Sequence, residues 1–171
     1  MNDLAASQAT SDELLAELTR LGIDATTVEH PALHTVEESQ ALRGEIPGAH
    51  VKNLFVRDRK GRIFLLVVEE TAKIDLKRVH ERIGGSGRVS FGSAELLEAV
   101  LGVKPGAVTP LGAINDRERR ATIVLDAGLM SAETISVHPL VNTRTTTLAR
   151  DGLLRFLSAV GHDPMILAIV D

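Results

Sequence analysis

Two runs dominate the pattern of hydrophobic and polar positions: Val51-Lys52-Asn53-Leu54-Phe55-Val56 and Ile63-Phe64-Leu65-Leu66-Val67-Val68. Both are rich in β-branched or bulky apolar side chains, and Asp58-Arg59-Lys60-Gly61 between them reads as a hairpin turn. Side chains alternate along a strand, so Lys52, Leu54 and Val56 share one face and Val51, Asn53 and Phe55 the other. Both faces are otherwise apolar, which predicts a strand in the middle of a sheet covered on both sides. A lysine and an asparagine at the mouth of such a strand are costly to bury unpaired. Lys52-Asn53 is therefore the first candidate for chemistry, set against the common alternative of a lysine whose stem reaches solvent.

Around this hairpin the elements follow from local signals. Thr10-x-x-Glu13 reads as a capping box for a helix with a Leu14, Leu15, Leu18, Leu21 stripe that Gly22 ends. Ala25–Glu29 is a predicted strand, broken by His30-Pro31. Thr35-x-x-Glu38 caps a short helix ending near Gly44, and residues 44–48 loop into the hairpin. Asp75 is the predicted cap of a helix through Ile83, closed by Gly84-Gly85-Ser86-Gly87, with a short strand at Arg88–Phe91. Ser93 caps a helix through Leu101, and Gly102 stops it. Residues 103–112 are too rich in Gly and Pro for regular structure. Strands are predicted at Ala121–Leu125, Thr134–His138 and Thr143–Leu148, a helix at Leu153–Val160 and a closing strand at Met165–Val170. Without regular βαβ alternation, this predicts one mixed α/β domain, a central mixed sheet flanked by helices, over residues 11–171 behind a frayed stretch at 1–10.

Composition narrows the function classes. The 171 residues suffice for one buried core. There is no cysteine, which removes disulfides, thiolate zinc sites and cysteine nucleophiles. Four Phe with no Tyr or Trp leave little for an aromatic platform of the kind that stacks single-stranded bases. No leader-like segment or membrane-length apolar run is visible, so the expected compartment is the cytoplasm, with no membrane partner. The net charge of −4 argues against a DNA-coating surface, and no specific DNA partner is expected. Residues 52–88, however, hold ten Lys/Arg against five Asp/Glu, a basic patch on an acidic protein that fits a locally engaged polyanion.

Several motifs carry less than they suggest. His30-x-x-x-His34 has metal-like spacing, but Pro31 prevents a helical i, i+4 pair and no partner carboxylate is evident, so no metal site is expected. Gly84-Gly85-Ser86-Gly87 lacks the Lys-Ser/Thr ending of a P-loop and reads as a turn. No Gly-x-Ser-x-Gly elbow exists. Thr143, Thr145, Thr146 and Thr147 read as β-propensity on a partly exposed strand. The Gly106–Pro110 loop is different: glycine admits close backbone approach and proline sets the loop's shape, so its amides could hold a carbonyl oxygen or phosphate. His138-Pro139-Leu140-Val141-Asn142 ends one strand, where a histidine is more often packed than catalytic.

Taken in order, Lys52-Asn53-Leu54-Phe55, Gly106-x-x-x-Pro110 and His138-Pro139-Leu140-Val141-Asn142-x-x-Thr145-Thr146 resemble the YbaK/ProX group of trans-acting aminoacyl-tRNA deacylases, related to the editing insertion of prolyl-tRNA synthetase. His30-Pro31 and Thr35-Val36-Glu37-Glu38 match as well. The His-Pro-Leu-x-Asn segment is most similar to the alanine-clearing branch, ProXp-ala; His34 departs from the apolar or aromatic residue expected there. The resemblance implies hydrolysis of the ester joining alanine to the terminal ribose of tRNA for proline, with no cofactor and no metal. It implies the tRNA acceptor end as partner and prolyl-tRNA synthetase as a candidate partner. The implied catalytic set is Lys52 with the backbone of Gly106, Ala107, Val108 and Thr109 as an oxyanion hole. The implied substrate-binding set is Asn53, Thr35, Pro110, His138 and Asn142. Lys52 would repel the α-ammonium and so suits a phosphate or the carbonyl oxygen, and His138 suits a pocket wall that excludes proline by size. The rival expectations are the same fold acting on Ser or Cys esters, and a non-catalytic nucleic-acid-binding module using the basic patch.

Overall fold

The computed structural model describes residues 7–32, 37–38, 41 and 46–171. The two apolar runs form β2 (Ala49–Arg57) and β3 (Ile63–Glu69), paired antiparallel in the register Lys52↔Val68, Asn53↔Val67 and Val56↔Phe64. The other strands are β1 (Ala25–Glu29), β4 (Ser90–Phe91), β5 (Ala121–Asp126), β6 (Thr134–Val137), β7 (Arg144–Ala149) and β8 (Met165–Leu167). Among the described residues, eight strands make one mixed sheet in the order β1-β7-β6-β2-β3-β5-β8, with β4 on β2. β2 is thus central, as its two apolar faces require.

Alternation divides the core between the sheet's faces. On one face, Phe55, Leu65, Val67, Ile123, Leu125 and Ile135 pack against α1 (Ser11–Arg20), α3 (Ala94–Leu101) and α4 (Arg150–Ala159). On the other, Val56, Phe64, Leu66, Val68 and Val124 meet the short α2 (Val79–Ile83) and Ile169. Burying such side chains contributes roughly 1.5–3 kcal/mol each, which makes the two clusters the main source of stability. The helix start signals act as expected at α1, where Thr10 and Glu13 form a reciprocal capping box, and at α3, where the Ser93 side chain accepts from the Leu96 amide.

Other expectations are corrected. Residues 7–9 are held in place: Gln8 donates to the Glu98 carbonyl at 2.7 Å and the Ala9 amide to Asn115 Oδ1 at 2.7 Å. α2 begins at Val79 because the Asp75 carboxylate closes a turn onto the Lys77 amide. α4 begins three residues before Leu153, with no side-chain cap to announce it. The tail of the Gly/Pro-rich loop is a 3-10 helix over Pro110–Asn115. Thr145 and Thr146 are buried, because β7 lies between β1 and β6; Thr146 Oγ1 is 2.8 Å from Thr27 Oγ1. The expected helix after Thr35 falls largely outside the described residues; 37, 38 and 41 are helical. No helix among the described residues is long and apolar enough to cross a membrane.

Candidate functional site at the open edge of β2

β2 has a break on one edge. It pairs in parallel with β6 at Ala49↔Ile135 and His50↔Ser136, and with β4 only at Val56↔Phe91 and Arg57↔Ser90. Between these two pairings, residues 51–55 have β3 on one side and no strand on the other among the described residues. The Phe55 carbonyl still accepts from the Gly92 amide at 2.9 Å, so the opening in the sheet lies at residues 51–54.

Lys52 and Asn53 stand at this opening on opposite faces. Lys52 is half-buried on the face of Val68, Leu66 and Val56, and its ammonium has no hydrogen bond or ion pair among the described residues. Asn53 points to the other face and donates from Nδ2 to the Val108 carbonyl at 3.0 Å. Its Oδ1 is buried without a partner. Asn53 thereby ties β2 to the Gly106–Pro110 loop.

The loop's shape is locally encoded. Residues 104–107 form a turn closed by the Ala107 amide donating to the Lys104 carbonyl at 3.0 Å. Pro105 takes its second position and Gly106, at φ +95°, its third, where a left-handed residue is required. Thr109 is wholly buried, and its Oγ1 accepts from the Leu111 amide at 3.2 Å, starting the 3-10 helix at Pro110. The Ala107 amide is committed to the turn, while Thr109 and Pro110 lie inside the protein. Exposed Gly106 and half-buried Val108 remain, and their amides have no acceptor among the described residues. Asn142 lies beside them: a methyl group at Gly106 would sit 3.4 Å from its Nδ2.

On the Lys52 face the sheet turns polar toward β1. His50 is two residues before Lys52, and its pairing with Ser136 brings His138 level with Lys52 on the neighbouring strand's end. His138 Nδ1 is 2.9 Å from the Arg144 carbonyl, so the ring donates there and Nε2 keeps its lone pair. Burial pushes the His138 pKa down, the Arg144 hydrogen bond opposes this, and nearby His30 and His50 lower it further. The His30 ring lies 6.5 Å from that of His138 and is fixed by the Pro31 carbonyl and Thr145 Oγ1, each at 2.8 Å. His50 Nε2 donates to the Ile46 carbonyl at 3.0 Å. A Ser136–Thr147 hydroxyl pair at 2.7 Å, with Ser136 donating to Pro47, completes this face. Among the described residues no three metal-ligating side chains converge in a way that could hold a metal ion.

Lys52 and His138 thus lie level on one face at the opening, while Asn53 links the other face to the loop of Gly106, Ala107, Val108, Thr109 and Pro110, beside which Asn142 lies. Thr35 lies outside the described residues. Two neighbours escape the sequence reading as site residues. His50 could have been found from its i−2 spacing to Lys52 on a strand; His30 is visible in the His30-Pro31 match, but its neighbours Thr145 and His138 reach it only through tertiary pairing.

A model of the aminoacyl-tRNA editing domain family matches residues 30–156. The chain is 37% identical over 161 residues to the prolyl-tRNA editing protein ProX of Acetoanaerobium sticklandii, covering 94% of this chain and 95% of that protein. It is 37% identical over 158 residues to prolyl-tRNA synthetase associated domain-containing protein 1 of Danio rerio, covering 91% and 85% respectively. Among solved structures, a proposed trans-editing enzyme for prolyl tRNA synthetase superposes with a TM-score of 0.68 at 21% identity, covering 95% of this chain and 99% of that one. At that identity the likeness concerns the fold.

Proposed function

The chain belongs to the aminoacyl-tRNA editing domain family, and on that premise we propose that it is a trans-acting deacylase that releases alanine from mischarged tRNA for proline. The reading is supported by the opening in β2, which has the unpaired Lys52 ammonium and the His138 ring on one face and, tied in through Asn53 on the other, the Gly106–Pro110 loop with its two uncommitted amides.

An aminoacyl ester is already activated, so water needs positioning and the developing oxyanion needs donors. Water adds to the carbonyl carbon, the amides of Gly106 and Val108 receive the negative oxygen, and the ribose oxygen leaves with a proton to regenerate the tRNA hydroxyl. Asn53 keeps Val108 in place through its carbonyl. Lys52 meets the carbonyl oxygen or the terminal phosphate, since it would repel an α-ammonium. His138, kept neutral by burial, offers Nε2 as an acceptor for the α-ammonium or a water and walls the amino-acid pocket. Discrimination against proline rests on size, because attraction alone separates small apolar groups poorly. Prolyl-tRNA synthetase is the natural source of the mischarged substrate and a candidate partner.

The test is release of amino acid from tRNA for proline charged with Ala, Ser, Cys or Pro. Alanine should be released fastest and proline should resist. Fastest release of Ser or Cys would reassign the substrate, and failure to hydrolyse any of the four would return the chain to a non-catalytic binding module.

A further inference from the structure

Three of the four Phe are buried, but Phe91 is 60% exposed. It sits opposite Val56 on β4 and, four residues along β2 from Lys52, it shares the Lys52 face. At the strand rise and spacing the two side chains are about 14 Å apart.

Beside it lies a knuckle built from the β2–β3 turn and residues 84–88. The Arg59 amide donates to the Ser86 carbonyl at 2.9 Å and the Ser86 amide to Asp58 Oδ2 at 2.8 Å. Arg62 reaches the Gly84 carbonyl at 2.9 Å. The Arg59 stem passes over Gly87, where a Cβ would sit 2.5 Å from it. The carboxylate of the knuckle, Asp58, is buried and already engaged with Arg62. Arg57, Arg59, Lys60 and Arg88 are exposed, and none is in an ion pair among the described residues. Arg59, Lys60 and Arg88 are thus free cations on the knuckle beside the exposed ring, whereas alternation turns Arg57 to the opposite face of β2.

Single-stranded nucleic acid is held in this way: an aromatic face under a base, and cations along the phosphates. The scarcity of aromatics excludes a platform for several bases, but one base needs one ring. We propose that Phe91, with Arg59, Lys60 and Arg88, binds the unpaired 3′ end of the tRNA, Phe91 stacking on a base upstream of the terminal ribose that enters at Lys52. This surface rests on the deacylase reading for its ligand. It explains how a weakly featured amino acid is delivered to the opening: the RNA is captured on the same sheet face, a short single-stranded span away.

The experiment measures binding of uncharged tRNA for proline to the full chain by fluorescence anisotropy over a salt series, alongside KM for deacylation. Phe91→Leu keeps an apolar side chain but cannot stack, and it should weaken binding and raise KM by about 5- to 160-fold, the span for one base–aromatic stack. Phe91→Trp should restore affinity. Neutralising Arg59, Lys60 and Arg88 together as Gln should lower the slope of log K against log salt by about 0.7 for each phosphate that is no longer neutralised. Wild-type turnover reports separately on the reading of the site. The docking surface is overturned if Phe91→Leu binds tRNA like wild type, if Trp fails to rescue, or if the triple variant keeps the wild-type salt slope.

Discussion

Asp58 provides a sharp test of the energetics at the hairpin. Its side chain is fully buried, with Oδ1 accepting from the amides of Lys60 at 3.0 Å and Arg62 at 2.9 Å. Oδ2 accepts from Arg62 Nε at 2.9 Å and the Ser86 amide at 2.8 Å. Burial alone would push the carboxyl pKa up, but the hydrogen bonds from Ser86, Arg62 and Lys60 outweigh it and hold it at about 2. An unfolded chain has about 3.9, and at 1.36 kcal/mol per unit the difference is worth about 2.5 kcal/mol. Because the folded pKa is depressed, this stabilisation is fully present above roughly pH 5 and is lost as pH falls through the folded value near 2. Asp58→Asn preserves shape and removes the charge. At pH 7 it should lower the unfolding free energy by about 2 kcal/mol, a Tm decrease of about 4–8 °C for a chain of this size. Urea unfolding at a series of pH values is the assay, and the gap between wild type and variant should shrink to less than half by about pH 2.5. A gap absent at pH 7, or constant across the series, would refute the electrostatic account and leave Asp58 as a packing residue.

Four further outcomes are expected at the site. Lys52→Ala should slow deacylation by roughly 10- to 10³-fold while the fold persists, and near-wild-type turnover in a folded variant would remove Lys52 from the site. Gly106→Ala should lose activity and about 1 kcal/mol or more of stability, because an L-residue is strained at φ +95° while only Asn142 lies near the new methyl; full activity would dismiss the loop amides. With its pKa lowered, His138 is already neutral above pH 6.5, so the rate should be level from there upward once any specific hydroxide dependence is subtracted. His138→Ala should change the relative rates of Ala, Ser and larger esters as the pocket enlarges, whereas equal slowing of all esters with a fall in wild-type rate below pH 6.5 would make His138 the general base.

The elements with short-range signals are legible in the chain itself. Capping at Thr10–Glu13 and at Ser93, the alternation of β2 and β3, and the Gly106 turn each depend on neighbours within a few residues, and each forms where those signals place it. Where no local signal exists, the boundaries shift: α4 starts at Arg150 without a side-chain cap, and Asp75 closes a turn instead of a helix. The motifs Lys52-Asn53, Gly106–Pro110 and His138–Asn142 are likewise visible in the chain, but not how they meet. Only strand order decides that, because β6, some 85 residues after β2, pairs with just its first two positions and leaves the next four open. That pairing brings His50 and His138 onto one face, and the place of β7 between β1 and β6 buries Thr145 and Thr146. Alternation assigns side chains to faces, but it carries no information about which strand lies alongside; packing of the whole sheet against its helices makes that choice.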